Sequence, residues 1–372
     1  MSVDLATLFN DFDRGRLSRR QLLKALGAGV AIRPVFAFAQ GQCGGARAGT
    51  PECDPTPAAL PFERTGWKTI RLDHLSCQVA DYPKEAAYYA ALMNWRIRSD
   101  DGRQAVLDIG DWGGLVLRGG YQAPPPPSAD DAAAAGRAGG RGGAGGPRPP
   151  RLAVFDSFCW GIEPWDAKNV EAQLRKRGLS PVADNQGKDF QSFHVKDPDG
   201  FDLQISNGSP KNRRQGSANA KTSAPTPFEP TSWKTVWLDH ISFEVSNYKE
   251  TVAFYSALLG WLPGTDEGSQ NQCEIGDVGD IIIRRGGGGN RGGGAGTMPL
   301  ARRAAMGHIA FGITPFDPDQ VKAELDRRGL TARVDTGGRG DIHTSSYKSY
   351  HTTTPNGFDL QISATTRANR GG

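Results

Sequence analysis

The sequence has no apolar run long enough for an ordinary membrane-spanning helix, which excludes an integral anchor of that kind. It has only five cysteines, and none shows the paired spacing of a zinc-binding ribbon or finger. It also lacks a basic stripe interleaved with aromatic residues, so nothing points to a nucleic-acid partner. The net charge of +4 is made of a basic amino terminus and scattered loop arginines. What is present is enough for two domains: 372 residues, of which 37% are hydrophobic. The 49 glycines and 25 prolines are unevenly spread, so part of the chain is not expected to pack.

The first 39 residues read as a targeting segment. Ser18-Arg19-Arg20-Gln21-Leu22-Leu23-Lys24 precedes a weakly apolar stretch from Ala25 to Phe38, and Ala37-Phe38-Ala39 offers a cleavage site before Gln40. This resembles a twin-arginine signal, although Arg33 interrupts the apolar stretch. It implies export by the twin-arginine machinery to the periplasm or beyond. A Gly/Pro-rich arm, 40–64, follows; Cys43 and Cys53 within it either pair in an oxidising compartment or stay apart. Cys77, Cys159 and Cys273 fall in strand-like segments and read as small core residues.

The rest of the chain is duplicated. Trp67-Lys-Thr-Ile-Arg-Leu-Asp-His74-Leu-Ser-Cys-Gln-Val79 recurs as Trp233-Lys-Thr-Val-Trp-Leu-Asp-His240-Ile-Ser-Phe-Glu-Val245. Gly200-Phe-Asp-Leu-Gln-Ile-Ser206 recurs unchanged as Gly357–Ser363. The expected domains are 65–207 and 231–365, joined by a linker over 208–230 and followed by a tail over 366–372. Each domain divides again. In the second, 238–245 alternates, with Ile241, Phe243 and Val245 on one face and His240, Ser242 and Glu244 on the other. A helix is expected over 249–259, ending at Gly260, then strands near 262–266, 270–275 and 280–285. The pattern restarts with a strand over 307–313 and a helix capped by Asp317 with Pro318 in its first turn, ending at Gly329. The first domain's second helix, 166–177, likewise ends at Gly178. The fold class is α+β: two domains, each a pair of βαβββ modules closing a cupped, eight-stranded mixed sheet with helices outside. Low-complexity inserts, 123–151 and 286–296, join the two modules in each domain and are expected to be disordered.

This organisation resembles the vicinal oxygen chelate superfamily of glyoxalases, bleomycin-resistance proteins and extradiol dioxygenases. The resemblance rests most sharply on Asp197-Pro198-Asp199-Gly200-Phe201-Asp202-Leu203-Gln204-Ile205 and on Gly307-His308-Ile309-Ala310-Phe311. It implies a divalent metal ion in the second domain, held by His240, His308 and Gln361, with iron, manganese, zinc or nickel as the candidates. Two departures matter. Gln361 stands where a carboxylate is usual, and Arg284 stands where a module's last strand commonly carries a glutamate. An arginine there repels a cation and favours an anionic group. The first domain keeps His74 and Gln204 but has Ser157 in place of His308, so metal binding is not expected there.

His194 and His351 match across the repeats. Either they face the cups as acid–base or substrate-binding groups, or they order the adjacent turns. Tyr89, Tyr255, Trp95 and Trp261 match as core anchors. The leading expectation is an exported, metal-dependent dioxygenase, lyase or isomerase acting on a small oxygenated molecule, with His351 assisting proton transfer and Arg284 in the site. The alternatives are a metal-free small-molecule binding protein of the bleomycin-resistance type and a structural duplicate.

Overall fold

In the computed structural model, each repeat begins with a long strand whose alternate residues face an apolar core. The structure describes residues 57–122, 152–184, 189–209, 220–286, 304–338 and 340–369. The signal segment, both cysteines of the arm, the first insert and nearly all of the second lie outside them. The described residues belong to one compact unit, Gly45–Gly372.

The first repeat contains β1 (Lys68–Val79), α1 (Tyr82–Leu92), β2 (Arg96–Asp100), β3 (Gln104–Ile109), β4 (Gly113–Arg118), β5 (Ala153–Glu163), α2 (Ala167–Lys176), β6 (Val182–Ala183), β7 (Ser192–Lys196) and β8 (Asp202–Ser206). The second contains β9 (Lys234–Val245), α3 (Tyr248–Leu259), β10 (Leu262–Asp266), β11 (Gln270–Ile275), β12 (Gly279–Arg285), β13 (Ala305–Thr314), α4 (Pro318–Arg327), β14 (Arg333–Asp335), β15 (Ser349–Thr353) and β16 (Asp359–Ser363). The two sheets have the same order, β2-β3-β4-β1-β5-β8-β7-β6 and β10-β11-β12-β9-β13-β16-β15-β14. The first strands of the two modules pair antiparallel at the centre of each sheet. This is βαβββ four times, as the alternation and glycine stops indicated.

The helix ends follow local chemistry. Asp166 and Asp317 accept hydrogen bonds from the backbone N–H of Asn169 and Gln320 at 2.7 and 3.0 Å, so each caps its helix. Gly260 ends α3 at φ 71°, a left-handed conformation that a side chain would strain.

The four helices are not equivalent. α2 and α4 bury only Val170 and Leu174, and Val321 and Leu325, respectively, and lie outside as expected. α1 and α3 are buried nearly all round, because each packs against both repeats. Tyr255 stacks on Trp261 at 4.5 Å between ring centroids, and Trp261 meets Trp160 of the first repeat at 5.4 Å. Tyr89 stacks on Trp95, which meets Phe311 of the second repeat at 5.1 Å. The matched aromatic residues are therefore core anchors, and what they anchor is the junction of the repeats.

That junction is reciprocal. The last carbonyls of a helix have no partner within it. Here the other repeat supplies one: Thr65 donates from its backbone to Ala257 and from its hydroxyl to Leu258 at 2.7 Å, while Thr231 does the same to Ala91 and Leu92. Trp95 Nε1 donates to Thr235, and Trp261 Nε1 to Thr69, at 2.8 and 3.0 Å. The Asp197–Gly200 loop closes the same contact. Asp199 accepts from the backbone and hydroxyl of Ser246, and Asp197 accepts from the Tyr255 hydroxyl at 3.0 Å. Burial pushes the Asp197 carboxyl up to about 6, against the hydrogen bonds that favour its charge.

Candidate metal centre

The polar faces of the two sheets carry the candidate residues. In the second sheet, His240 on β9 lies opposite Ala310 on β13, which lies opposite Gln361 on β16, which lies opposite His351 on β15. His308 lies one step along, opposite Ser242 and Asp359. Side chains two apart on a strand share a face, so these groups converge.

His240 Nε2 and His308 Nε2 are 2.9 Å apart. With the ring hydrogen of each on Nδ1, the two Nε2 lone pairs are aimed at a common region. His308 stays neutral: burial, together with the positive fields of His240, His351 and Arg284, drives its ring down to about 2. A neutral imidazole is the form that ligates. His240 Nδ1 faces Asp239 Oδ1 at 3.3 Å, a carboxylate placed behind a histidine whose other nitrogen is directed inward. Burial opposes the charge on Asp239, but His240, Ser363 and Tyr347 together hold its carboxyl below the usual range.

Adjacent strand residues ordinarily point to opposite faces. Asp239 escapes this because β9 carries an extra residue between the positions that pair with Ala310 and Phe311, a β-bulge at Asp239 itself. Its other oxygen accepts from Tyr347 and from Thr365, both at 3.0 Å. Thr365 comes this close because position 312 is glycine; a Cβ there would collide with the Thr365 carbonyl oxygen.

Gln361 is 1% exposed. Its amide nitrogen donates to Ser349 at 2.7 Å and Tyr347 at 2.9 Å. Those bonds fix the amide and leave Oε1 buried with no hydrogen-bond partner. A buried oxygen without a donor is costly. His351 lies with its ring centroid 5.1 Å from that of His308. Its Nδ1 faces Asp359 at 2.7 Å and its Nε2 faces Asp335 at 3.1 Å. Burial works against its charge, but the two carboxylates outweigh burial and raise its affinity for a proton above the ordinary value. Asp335 is in turn held far down by His351. Arg284 sits on the same face of β12, between Gln270 of β11 and Glu244 of β9.

The structure thus brings His240, His308 and His351 together, places Gln361 in their row, and puts Arg284 near enough to act on His308. It adds residues that the sequence reading passed over. Asp239 and Asp335 repeat, as Asp73 and Asp184, so comparing the repeats position by position would have found them. Tyr347 and Asp280 do not repeat. Asp280 pairs in register with His240, is 4% exposed and accepts from Gln272 at 3.1 Å; its counterpart opposite His74 is Gly114.

The first sheet keeps part of this arrangement. Gln204 donates to Ser192 at 2.7 Å, and His194 lies between Asp202 and Asp184 at 2.9 and 3.5 Å. Ser157 leaves no second imidazole. Arg118, the counterpart of Arg284, is ion-paired to Asp156. Cys159, expected in the core, is buried but shares the cup-facing row of His74; Cys77 and Cys273 are core residues as expected.

No protein-family model matches the sequence, and no curated protein matches it. Solved structures do. A Mn(II)-bound glyoxalase from Novosphingobium aromaticivorans aligns with TM-score 0.52 at 15% identity over 80% of this chain and 82% of its own. A 2,3-dioxygenase from Pseudomonas sp. KL28 aligns with TM-score 0.50 at 13% identity over 80% and 92%. An extradiol ring-cleaving dioxygenase from B. fuscum aligns with TM-score 0.50 at 16% identity over 83% and 75%. The chain therefore has the fold that these glyoxalase and extradiol dioxygenase structures share, in two repeats. At these identities the likeness establishes architecture, and the chemistry has to be argued from the side chains.

Proposed function

We propose that the second cup holds a divalent metal ion through His240, His308 and Oε1 of Gln361, and that the chain is an exported dioxygenase, lyase or isomerase acting on a small oxygenated molecule. The observation that carries this reading is the pair of facing Nε2 atoms, 2.9 Å apart, beside the partnerless Gln361 oxygen. The donor set fits iron, manganese, zinc or nickel with positions left for substrate and water. The bound ion supplies Lewis-acid polarisation of a substrate oxygen or, if it is iron, oxygen activation. Gln361 brings no charge, but Asp239 beside His240 and Asp335 beside Gln361 stand behind the ligands and supply it from there, and the Asp359 carboxylate adds a negative field at His308. His351 holds a proton at Nε2 against Asp335, whose side chain is 37% exposed and connects that proton with solvent. Arg284 receives an anionic substituent of the substrate. Residues 1–39 direct export by the twin-arginine route, so the mature protein works in the periplasm or outside the cell.

The same Arg284 supports a second reading, a metal-free binding protein for a small anionic molecule, because its positive field weakens metal binding at His308. Metal analysis after native export separates the two. Close to one equivalent of metal that disappears in His308→Ala supports the enzyme. Less than about a tenth of an equivalent attributable to His308, with no uptake on soaking, overturns it.

A further inference from the structure

The first cup carries a donor cluster that the second lacks. β5 lies between β1 and β8, and His74, Cys159 and Gln204 form one row across the three strands. Phe158 and Trp160 turn to the aromatic core, so Cys159 between them faces the cup. The bulge on β1 delivers Asp73 as that on β9 delivers Asp239, and Asp73 Oδ1 lies 2.8 Å from His74 Nδ1. One ligating atom each of Asp73, His74 and Cys159 lie within 4.8 Å of one another. Among the described residues, no other three His, Cys, Asp or Glu side chains do so.

The comparison between the repeats gives this cluster meaning. Ser157 replaces His308, and Cys159 replaces Ala310. A donor has thus been lost at one position and another gained two residues along the same strand. A step of two residues preserves the face. The imidazole has become a thiol, and the ligand row has moved toward Asp73. The charged Arg98 and Arg96 at this end of the cup are both bound to Asp108, which offsets their repulsion of a cation.

We propose that the first cup binds a thiophilic dication of the zinc type through Asp73, His74 and Cys159, independently of the second cup. A carboxylate and a thiolate balance the two positive charges in a partly buried place, and the imidazole adds a neutral nitrogen. The Cys159 thiol releases its proton to solvent as the metal–sulfur bond forms. Ligand atoms around a tetrahedral zinc ion are about 3–4 Å apart, within the span of this cluster. Three protein donors leave a fourth position for water or a small ligand. The sulfur donor separates this site from the nitrogen–oxygen set of the second cup.

Cobalt(II) titration of the full chain carrying Cys43→Ser and Cys53→Ser tests the proposal. Cys159 is then the sole thiol on a polar face, since Cys77 and Cys273 lie in the core. The expected result is a near-ultraviolet thiolate-to-cobalt charge-transfer band that saturates at one equivalent. Cys159→Ala abolishes the band, Asp73→Asn weakens cobalt binding by about tenfold or more, and His308→Ala leaves the band unchanged. Alanine is what the second repeat carries at this position, and circular dichroism verifies the fold of each variant. Absence of the band from the folded Cys43→Ser, Cys53→Ser chain overturns the proposal without reference to any other variant. So does persistence of the band in Cys159→Ala. Failure of the metal reading for the second cup does not touch this sulfur signal.

Discussion

Replacing Asp239 by asparagine isolates the support behind the second-cup ligands. Asp239 faces His240 Nδ1 at 3.3 Å and accepts from Tyr347 and Thr365 at 3.0 Å. Asparagine keeps the size and one acceptor but removes the charge and turns the other oxygen into a donor. If that donor faces Tyr347 and Thr365, both hydroxyls must rotate; if it faces His240, the imidazole loses its anchor. Outer carboxylates of this kind are worth about 10–100-fold in metal affinity, or roughly 1.4–2.7 kcal/mol. The assay is competition for manganese or zinc against a chromophoric chelator in a Cys159→Ala background, which leaves the second cup alone. The expected result is a dissociation constant raised by about 10-fold or more with little change in unfolding midpoint. An unchanged constant in a folded variant would show that Asp239 only ties down the carboxyl-terminal segment, and the outer-charge account of Gln361 would then fail.

Other consequences follow from the same contacts. Asp197 binds its proton more tightly in the folded chain than in the unfolded one, so its contribution to stability is present below about pH 4 and is lost as pH rises through about 6. Asp197→Asn should therefore remove a penalty of up to about 3 kcal/mol at pH 8 and flatten the pH dependence of urea unfolding between about pH 4 and 6; parallel curves for the two proteins would refute this. Thr65→Val and Thr231→Val each strip a hydroxyl from a helix-end carbonyl of the other repeat and should cost about 1 kcal/mol in urea unfolding, with equal midpoints in either variant and wild type as the contrary result. Gly312→Ala should displace Thr365 and weaken second-cup metal binding along with stability, whereas a normal metal affinity would separate Thr365 from the site. Arg284→Ala should tighten metal binding by removing a positive field while weakening any anionic ligand, and calorimetry with each alone reads the two effects separately.

Much of the architecture was legible because its signals are local. The strands expected at 262–266, 270–275 and 280–285 match β10–β12 to within one residue, since period-two burial and glycine punctuation act over short stretches. The cap Asp317 was readable for the same reason, whereas Asp166, read as the first residue of its helix, is the cap before it. The helices between the sheets were less so. The helix expected over 249–259 is present as α3, but it buries Thr251, Phe254, Tyr255, Ser256 and Ala257 as well as Ala253, Leu258 and Leu259, because a second repeat covers what one domain would leave in water. In the site, His240, His308 and Gln361 were reached through resemblance. Asp239 was not, because period two places it on the face opposite His240, and only the bulge reverses that. Cys159 reads as a core residue because it falls in an apolar, strand-like segment; β5 is buried on both faces there, and burial alone does not tell a cup from a core.

The repeated cluster bears on where the chemistry resides. Gln204, Ser192, His194, Asp184 and Asp202 reproduce the contacts of Gln361, Ser349, His351, Asp335 and Asp359, in a cup that lacks the paired imidazoles. A network kept where the paired ligands are missing has a task that does not depend on them, and bridging the last three strands of each sheet is such a task. What distinguishes the cups is then a short set of exchanges: His308 for Ser157, Tyr347 for Phe190, Asp280 for Gly114, and Ala310 for Cys159. The first three add an imidazole, a hydroxyl tied to both Asp239 and Gln361, and an acid beside His240. Each suits the metal centre proposed for the second cup. The fourth runs the other way and gives the first cup a sulfur. His351→Gln should therefore disturb stability as much as His194→Gln does, with unfolding free energies lowered alike. An added loss of second-cup metal affinity in His351→Gln alone would show that this histidine has been drawn into the site, and equal metal affinity would leave it a sheet-bridging residue.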